Sequence, residues 1–410
     1  MGLESELFFS KEAADYLGIS MQRLNKLIQT GKIIPLKKSS SGTIFHIDEL
    51  ERRKEELRIF SEINTGGAKM YTMDSKIKVE ALNYATLMNA MEMTESRLEP
   101  LFESFAKSFP IDEELGDAEL VKEYSKYFGC DKEVLLDEYK KAEQAFATLH
   151  IEDEIIKRGA LDYPPLLART EQAPRFLYVR GNKTLLLERR TVAVVGSRKA
   201  SEKARHDAKQ LAEILGKNGI TVVSGLAKGI DVEAHLGALD KGFNTIAVIG
   251  TSLNQYYPPE NKDIQLRIEK KGVVVSQFSP ASKTQRWFFP LRNGVMSGLS
   301  LATVIIEAGE TSGALKQADF ALKQGRQVII PQSALKIKAI TWPQRYLQRG
   351  ASLAASSTEI LKILAENQIF NARESVVPKQ QNLFDYLEKD ETECRRDNSL
   401  ITDWIDPLQG

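Results

Sequence analysis

Short apolar segments alternate with longer amphipathic ones between Thr191 and Pro331. The apolar segments are rich in valine and isoleucine and occupy 191–196, 220–224, 244–250, 272–276, 302–307 and 327–331. Such alternation is typical of strand–helix units, which set their strands side by side in a parallel sheet with helices on both faces. The sequence therefore predicts an α/β fold with a doubly wound parallel sheet, whose ligands bind beyond the carboxyl ends of the strands.

Two smaller regions precede this sheet. Residues 1–62 predict a winged helix-turn-helix, with a second helix from Ser20 to Thr30 and strands from Lys32 to Lys38 and from Thr43 to Ile47. Residues 63–75 have the composition of a linker, and residues 76–154 show helical periodicity without strand-like alternation. The sequence thus predicts a winged helix-turn-helix, a linker and a small helical domain ahead of the sheet.

The second helix of the front domain has a polar outer face. Its apolar residues recur at helical spacing, and the opposite face carries Gln22, Arg23, Lys26 and Gln29. In helix-turn-helix proteins this helix contacts base edges in duplex DNA, which is the interpretation that we prefer. Small domains of this type also dock on other proteins, so a docking role is the alternative.

The overall composition sets limits on the function. The 56 basic and 56 acidic residues cancel, so any nucleic-acid contact must come from a local patch. Only two cysteines are present, Cys130 and Cys394, without the spacing of a metal site or a disulfide framework. No apolar run approaches the roughly 20 residues of a membrane span, and the amino terminus lacks a signal sequence. We expect a cytoplasmic protein without a metal or cofactor.

The first strand of the predicted sheet ends in a loop that suits phosphate. Gly196, Ser197 and Arg198 stand just before a helix that begins near Ser201. Backbone amides at the start of a helix and a guanidinium group both match phosphate oxygens. A tight turn with a solvated arginine explains this loop equally well.

The second strand ends in a loop with two glycines around a lysine. Its candidate phosphate-binding residues are Ser224, Gly225, Lys228 and Gly229. The glycine spacing fits neither the dinucleotide fingerprint nor the phosphate loop of nucleotide hydrolases. His235 follows this loop, and we expect it to be satisfied within the helix–sheet interface because no nucleophile lies near it in sequence.

The third candidate segment combines basic and aromatic residues. Its candidate DNA-binding residues are Arg286, Phe289, Arg292 and Asn293. Aromatic faces stack on unpaired bases while arginines hold the backbone. Trp287 and Phe289 are equally compatible with positions in the core.

The content and order of these motifs closely resemble the DprA/Smf (DNA-processing protein A) family over residues 155–365. The matching motifs are Tyr163-Pro164-Pro165, Gly196-Ser197-Arg198, Ser224 to Asp231, Ala234-His235, Tyr257-Pro258, Phe289 to Asn293, Ser297 to Ser300 and Ser312-Gly313. The resemblance implies an extended Rossmann-like domain over 155–370 that binds single-stranded DNA as a homodimer and helps to load the RecA recombinase in DNA uptake, recombination or repair. It implies a DNA pocket lined by the loops of Arg198, Lys228 and Arg292, and no catalytic residue.

The chain departs from this family at several points. The family usually has a second arginine where this chain has Gly294, and a Ser-Glu pair where this chain has Ser276-Gln277. Loss of the arginine removes one candidate phosphate contact. The front domain resembles the MerR/excisionase group of helix-turn-helix modules, whereas a winged helix in the DprA/Smf family often stands at the carboxyl end.

Two other functions compete with this one. Nucleotide phosphoribohydrolases of the lysine-decarboxylase-like group resemble this architecture, but their Pro-Gly-Gly-x-Gly-Thr segment is missing, and Glu307 is the one plausible catalytic carboxylate. The pocket of a nucleotide sensor, or of a DprA-like component of an antiphage or mobile-element locus, would serve regulation instead.

The polar segment 371–410 predicts a flexible tail. Within it Gln380, Leu383 and Phe384 have the spacing of short peptides that dock on the bacterial sliding clamp. A flexible tail presents such an apolar pair to a hydrophobic pocket at a cost in ordering entropy. A patch that folds back on the sheet domain, or an acidic solubilising tail, are the alternatives.

Overall fold

The computed structural model describes two compact units of the chain. The described residues are 7–17, 19–29, 33, 35–39, 42–47, 50, 73–116, 118–337 and 339–366. Packing divides the chain into Met1–Ser75 and Lys76–Gly410. The clamp-like residues Gln380, Leu383 and Phe384, with the whole predicted tail, lie outside the described residues, as do residues 63–72 of the predicted linker.

The described residues of the first unit include two helices and a three-stranded antiparallel sheet. These elements are β1 (Leu7–Phe9), α1 (Ser10–Tyr16), α2 (Met21–Gln29), β2 (Lys37–Ser39) and β3 (Gly42–His46), with strand order β1-β3-β2. Ala13, Leu24 and Phe45 are fully buried in its core. Two helices followed by a hairpin match the predicted order of elements. Strand β1 was not predicted.

The hairpin is shorter than the sequence pattern predicts. Its first strand covers only Lys37–Ser39 instead of Lys32 to Lys38. Pro35 lies in the missing part, and proline has no amide hydrogen to give to a strand ladder. On α2 the side chains of Gln22, Arg23 and Lys26 are exposed, as predicted, and that of Gln29 lies outside the described side chains.

Four helices open the second unit, in the region where helical periodicity predicted them. They are α3 (Met73–Ala90), α4 (Glu95–Phe105), α5 (Ala118–Phe128) and α6 (Lys132–Phe146). Asp131 caps α6, because its carboxylate accepts hydrogen bonds from the amides of Glu133 (2.8 Å) and Val134 (3.2 Å). Phe105 packs edge-on against Tyr124, with ring centroids 4.5 Å apart.

These helices share one hydrophobic cluster with the sheet that follows. Tyr84 and Phe102 belong to the same cluster as Tyr178 and Val274. Ion pairs join the two parts as well, because the buried guanidinium of Arg175 donates to Glu80 (2.8 Å) and Glu99 (2.8 Å). Both parts therefore lie in one compact unit, although the sequence changes from helical to strand-like character at residues 154–155.

The sheet has nine strands in the order β12-β11-β10-β6-β7-β8-β9-β5-β4. Their bounds are β4 (Glu154–Lys157), β5 (Phe176–Gly181), β6 (Thr191–Val195), β7 (Thr221–Ser224), β8 (Thr245–Val248), β9 (Val273–Ser276), β10 (Ala302–Ile305), β11 (Gln327–Pro331) and β12 (Ser352–Ala354). Strands β6 to β12 are parallel, which confirms the predicted doubly wound sheet. Strands β4 and β5 were not predicted. They extend the edge beyond β9, where β5 pairs antiparallel with β9 and β4 pairs antiparallel with β5.

Helices cover both faces of the sheet. They are α7 (Glu202–Lys217), α8 (Ile230–Leu239), α9 (Lys262–Lys271), α10 (Phe288–Gly298), α11 (Gly313–Lys323), α12 (Trp342–Gln348) and α13 (Ser357–Glu366). Val192 and Val194 pack in one cluster with α7 and α8, whereas Val195 packs in another cluster with α10, α11 and α12. Because neighbouring strand residues point to opposite faces, a sheet buried on both sides needs these continuous apolar runs.

The order of the strands determines where a ligand can enter. From β6 the chain builds outward to β9, and then returns to place β10 on the other side of β6. The loops that follow β6 and β10 consequently lead to helices on opposite faces and leave a crevice between them. Such a switch point is the usual binding position in open α/β sheets.

None of the helices among the described residues combines the length and the apolar character needed to cross a bilayer.

His235 is fully buried in α8, as predicted, but only one of its ring nitrogens is satisfied. Its Nδ1 lies 2.7 Å from Oγ1 of Thr245, whereas its Nε2 has no hydrogen-bond partner among the described residues. Burial, with a smaller effect from Arg292, lowers the pKa of His235 from 6.5 to about 3. The unfolded chain therefore takes up a proton between these two values that the folded chain does not.

This buried histidine should make the protein less stable in acid. Its contribution is complete above about pH 6.5 and is lost as the pH falls towards 3. We expect the free energy of unfolding of His235→Asn to fall less steeply than that of the parent from about pH 6 to pH 4, by about 1.4 kcal/mol per pH unit. Chemical denaturation at each pH measures this slope. His206→Asn is the matched control, because His206 is exposed on α7, and it should keep the parent slope.

Candidate nucleic-acid interface

A cleft of about 570 Å³ opens at the switch point. It is bounded by the loop after β6, by α10, and by the loop after β10 with the beginning of α11. Six of the predicted site residues line it: Gly196, Ser197, Arg198, Phe289, Arg292 and Asn293. The other predicted residues of the sheet domain lie outside its lining: Ser224, Gly225, Lys228, Gly229 and Arg286. The structure thus brings the first and third predicted segments together.

Hydrogen bonds of Ser197 hold the loop after β6 in place, and the side chain of Arg198 takes no part in them. The amide of Ser197 donates to the carbonyl oxygen of Glu307 (2.7 Å), and the Ser197 hydroxyl accepts from the amide of Lys199 (3.1 Å). A Cβ atom on Gly196 would lie 2.5 Å from a side-chain carbon of Ile230, so only glycine fits there. Arg198 is exposed and makes no hydrogen bond or ion pair with another described residue.

Arg292 is buried, although a charged side chain is usually exposed. It is only 5% exposed, and its Nη1 atom donates to the main-chain oxygens of Gly225 and Val248. These oxygens stand at the ends of β7 and β8. The guanidinium therefore fixes α10 to the sheet while one side of the residue forms part of the wall of the cleft.

A buried carboxylate accompanies this arginine. Burial raises the pKa of Asp231 to about 6, although the positive charge of Arg292 acts to lower it. Burial lowers the pKa of Arg292 to about 10, although Asp231 acts to raise it. Each charge thus compensates part of the desolvation cost of the other. Both residues line the cleft.

The second predicted loop reaches the lining of the cleft at Ala227 and Asp231, and its four candidate residues lie outside that lining. The Ser224 hydroxyl is buried and donates to the carbonyl oxygen of Val194 (2.7 Å). A Cβ atom on Gly225 would lie 2.3 Å from Nη1 of Arg292, so the glycine makes room for the guanidinium. Lys228 is exposed and forms an ion pair with Glu260. Gly229 has a φ of 79°, which favours glycine, and it packs on the main chain of Ser197.

Sequence reasoning missed the wall that follows β10. This wall presents Gly309, Thr311, Ser312, Gly313, Lys316 and Gln317 to the cleft. Ser312 caps α11, since its hydroxyl accepts from the amide of Ala314 (3.3 Å), and the start of this helix favours an anion. The strand order, which local patterns do not encode, is what places this wall opposite Arg198. Within the described residues no group of three acidic, histidine or cysteine side chains could hold a metal ion.

The family model of DNA recombination-mediator protein A matches residues 154–365, just over half of the chain. The chain belongs to this family. DNA processing protein DprA of Streptococcus pneumoniae is 34% identical over 236 residues, which cover 58% of this chain and 79% of that protein. DprA of Bacillus subtilis is 32% identical over 207 residues, which cover 50% and 70%.

A solved structure supports the same relationship. The crystal structure of DprA from Streptococcus pneumoniae aligns with 72% of this chain and 98% of that chain, with a TM-score of 0.56 and 29% identity. This likeness extends over a larger share of the chain than the residues that the family model matches. These matches support DNA processing as the broad role of the chain.

One departure from the DprA family pattern lies away from the cleft. A Cβ atom on Gly294 would meet the side chain of Gln172 at 2.7 Å, and Gly294 does not line the cleft. Its carbonyl oxygen accepts from Nε2 of Gln324 (3.0 Å), which also donates to Gln172 (2.7 Å). Glycine at this position thus permits close packing of α10 on α11, and a larger residue would have to displace Gln172.

The buried pair predicts a large effect on stability. Arg292→Met should lower the free energy of unfolding by about 3 to 5 kcal/mol, because it leaves two buried carbonyls without their donor and removes the positive charge that compensates the buried Asp231 carboxylate. Arg286→Met, which changes an exposed arginine near the same helix, should lower it by less than about 0.5 kcal/mol. Urea denaturation measures both variants.

A second substitution identifies the cause of that loss. Asp231→Asn removes the unpaired carboxylate, so it should recover part of the loss in the Arg292→Met background and destabilise the parent protein. If the two substitutions are simply additive, the charges of Arg292 and Asp231 do not compensate one another.

Proposed function

We propose that this protein binds single-stranded DNA in the cleft at the switch point, and that it acts with the RecA recombinase in DNA uptake, recombination or repair. The observation that carries the DNA-binding proposal is the exposed guanidinium of Arg198 opposite the beginning of α11. Both are phosphate-binding elements, and they lie on two walls of one cleft. Family membership supports the role in DNA processing.

The local charge supports an anionic ligand. The chain as a whole is neutral, yet the cleft is lined by four cationic residues and by one acidic residue, Asp231. The cationic residues are Arg198, Lys199, Arg292 and Lys316. Such a local patch attracts phosphate even though the chain as a whole is neutral. Lys228 lies outside the lining and is paired with Glu260, so it would have to leave that partner to contact a strand.

The aromatic residue in the cleft favours an unpaired strand. Phe289 is half-buried in the wall beside Pro290, and its ring lies next to Gly250, where an added Cβ atom would come within 2.6 Å of the ring. A ring at this place offers a face to a base, and base faces are accessible only when a strand is not stacked in a duplex. We therefore propose single-stranded DNA as the ligand of this cleft.

Replacement of Arg198 tests the phosphate contact directly. Arg198→Ala should weaken binding of a single-stranded oligonucleotide and reduce the slope of log affinity against log salt by about 0.7, the value for one phosphate contact on a single strand. Fluorescence anisotropy at several salt concentrations measures both quantities. Lys203→Ala is the control, because Lys203 is exposed on α7 and pairs with Asp207. An unchanged slope in a folded Arg198→Ala protein would exclude the contact.

For the first unit we propose contact with duplex DNA through the outer face of α2. Arg23 and Lys26 are exposed on this helix. Arg23→Glu with Lys26→Glu in the full chain should abolish duplex binding and leave single-strand binding unchanged, since the charges of the cleft are intact. Gel-shift titration with each ligand measures this. Failure of the parent protein to bind duplex even at low salt would favour the docking role.

Three further partnerships belong to the proposal. The resemblance to the DprA/Smf family supports the proposals that the protein forms a homodimer and that it contacts RecA. The spacing of Gln380, Leu383 and Phe384 carries the contact with a sliding clamp, and these residues lie outside the described part of the chain. A role in an antiphage or mobile-element locus is the alternative to DNA uptake, recombination or repair, and it would use the same biochemical activity.

A mononucleotide is the second candidate ligand of the cleft. The cleft volume of about 570 Å³ would admit one. A nucleotide sensor is compatible with that volume. A phosphoribohydrolase is less compatible, because the Glu307 carboxylate does not line the cleft and accepts from both the amide (3.0 Å) and the hydroxyl (2.7 Å) of Ser201. Competition between nucleoside monophosphates and an oligonucleotide distinguishes the sensor from the strand-binding protein.

A further inference from the structure

Large aromatic and aliphatic side chains are exposed beside the cleft. Trp287 is 44% exposed, Tyr257 50% and Leu291 41%. Trp287 stands at the beginning of α10, two residues before Phe289, and Leu291 follows one helical turn later on the same side of the helix. We call Tyr257, Trp287 and Leu291 the aromatic ledge. Exposed apolar surface of this kind marks a place where another molecule binds.

The two loops that form the ledge are bound to each other. Tyr257 comes from the loop after β8, and its ring lies 5.1 Å from the ring of Phe289. In the same loop the Gln255 side chain accepts a hydrogen bond from the hydroxyl of Thr284 (2.7 Å), which precedes Trp287 by three residues. The ledge is therefore continuous with the wall of the cleft at Phe289.

Buried rings hold the tryptophan in position. Trp287 packs edge-on against Phe288, with centroids 4.6 Å apart, and Phe288 is buried and stacks on Phe278 at 3.9 Å. The indole is thus supported on one side and open to solvent on the other. A ring that is already ordered loses little conformational entropy when a flat partner stacks on it.

The charges near the ledge indicate what kind of molecule would stack on it. Arg286 is exposed directly before Trp287, and the cleft next to Phe289 carries Arg198 and Lys316. A ligand that covers both surfaces must have flat apolar groups at regular intervals along an anionic backbone. Unpaired nucleotides have this chemistry, whereas a duplex hides its base faces and a mononucleotide has only one.

We propose that the aromatic ledge is a base-stacking platform, which receives the bases of a single strand that continue outward from the cleft. The inference rests on the proposed function, because the phosphates of the same strand occupy the cleft. Trp287 and Tyr257 each stack on one base, next to a base at Phe289. Leu291 extends the apolar surface. The platform adds affinity for unpaired bases of any sequence, since every base has a stacking face.

The test compares a thymidine oligonucleotide with an abasic strand of the same length and phosphate number. Trp287→Leu and Tyr257→Leu should each weaken binding of the thymidine strand by about 5- to 150-fold, the range for the loss of one stacked base. Neither should change the salt slope or the binding of the abasic strand. Tyr127→Leu is the matched control, because Tyr127 is an equally exposed aromatic residue (42%) on α5 and should have no effect.

Tryptophan emission provides an independent reading. The chain has three tryptophans, of which Trp342 is fully buried and Trp404 lies outside the described residues. The thymidine strand should quench the emission of the parent protein, and Trp287→Phe should lose that quenching while it retains most of the affinity. Thermal unfolding of each variant verifies that it is folded.

The outcomes separate this inference from the proposed function. If the parent protein binds neither strand, the proposed function fails and the platform fails with it. If the parent binds both strands equally and Trp287→Leu has no effect, the cleft binds phosphates and the platform is refuted. If Trp287→Leu instead reduces the mass found by sedimentation without changing strand affinity, the ledge is a contact between copies of the chain, which also refutes it.

Discussion

The guanidinium of Arg292 lies where two strands of the sheet end, and the cleft depends on it. It donates to the buried carbonyl oxygens of Gly225 and Val248, where β7 and β8 end, and its positive charge acts on the buried carboxylate of Asp231. One side chain therefore connects α10 with the ends of β7 and β8. Phe289 stands one turn before it on α10, so the position of this ring relative to Arg198 follows from the same contact.

The sequence reveals the elements of the sheet better than their order. Runs such as Thr191–Val195 are recognisable because a strand that is buried on both faces needs continuous β-branched residues. Strand β5 was missed, although Phe176–Gly181 is nearly as apolar, because it stands outside the regular alternation with helices. The adjacency of β6 and β10 arises from pairing between distant segments, so the wall with Thr311 and Lys316 could not be predicted from local patterns.

Residue type also shows which side chains are charged, but it does not show whether the fold exposes, pairs or buries them. Arg198, Lys228 and Arg292 each follow a strand and were equivalent as candidates in the sequence. In the structure Arg198 is exposed in the cleft, Lys228 is paired with Glu260, and Arg292 is buried against main-chain oxygens. Burial and pairing depend on groups that are far away in sequence: Val248 stands 44 positions from Arg292. Only the fold brings such partners together.

The hydrophobic cluster shared by the helices and the sheet limits which parts of this protein can evolve independently. Tyr84 of α3 lies 5.8 Å from Phe176 of β5, ring to ring, so a change in one residue alters the packing of the other. We expect the segment from α3 to α6 to evolve together with the sheet and not to be exchanged between genes. The unit Met1–Ser75 has a hydrophobic core of its own, and we expect recombination between related genes to exchange it as one piece.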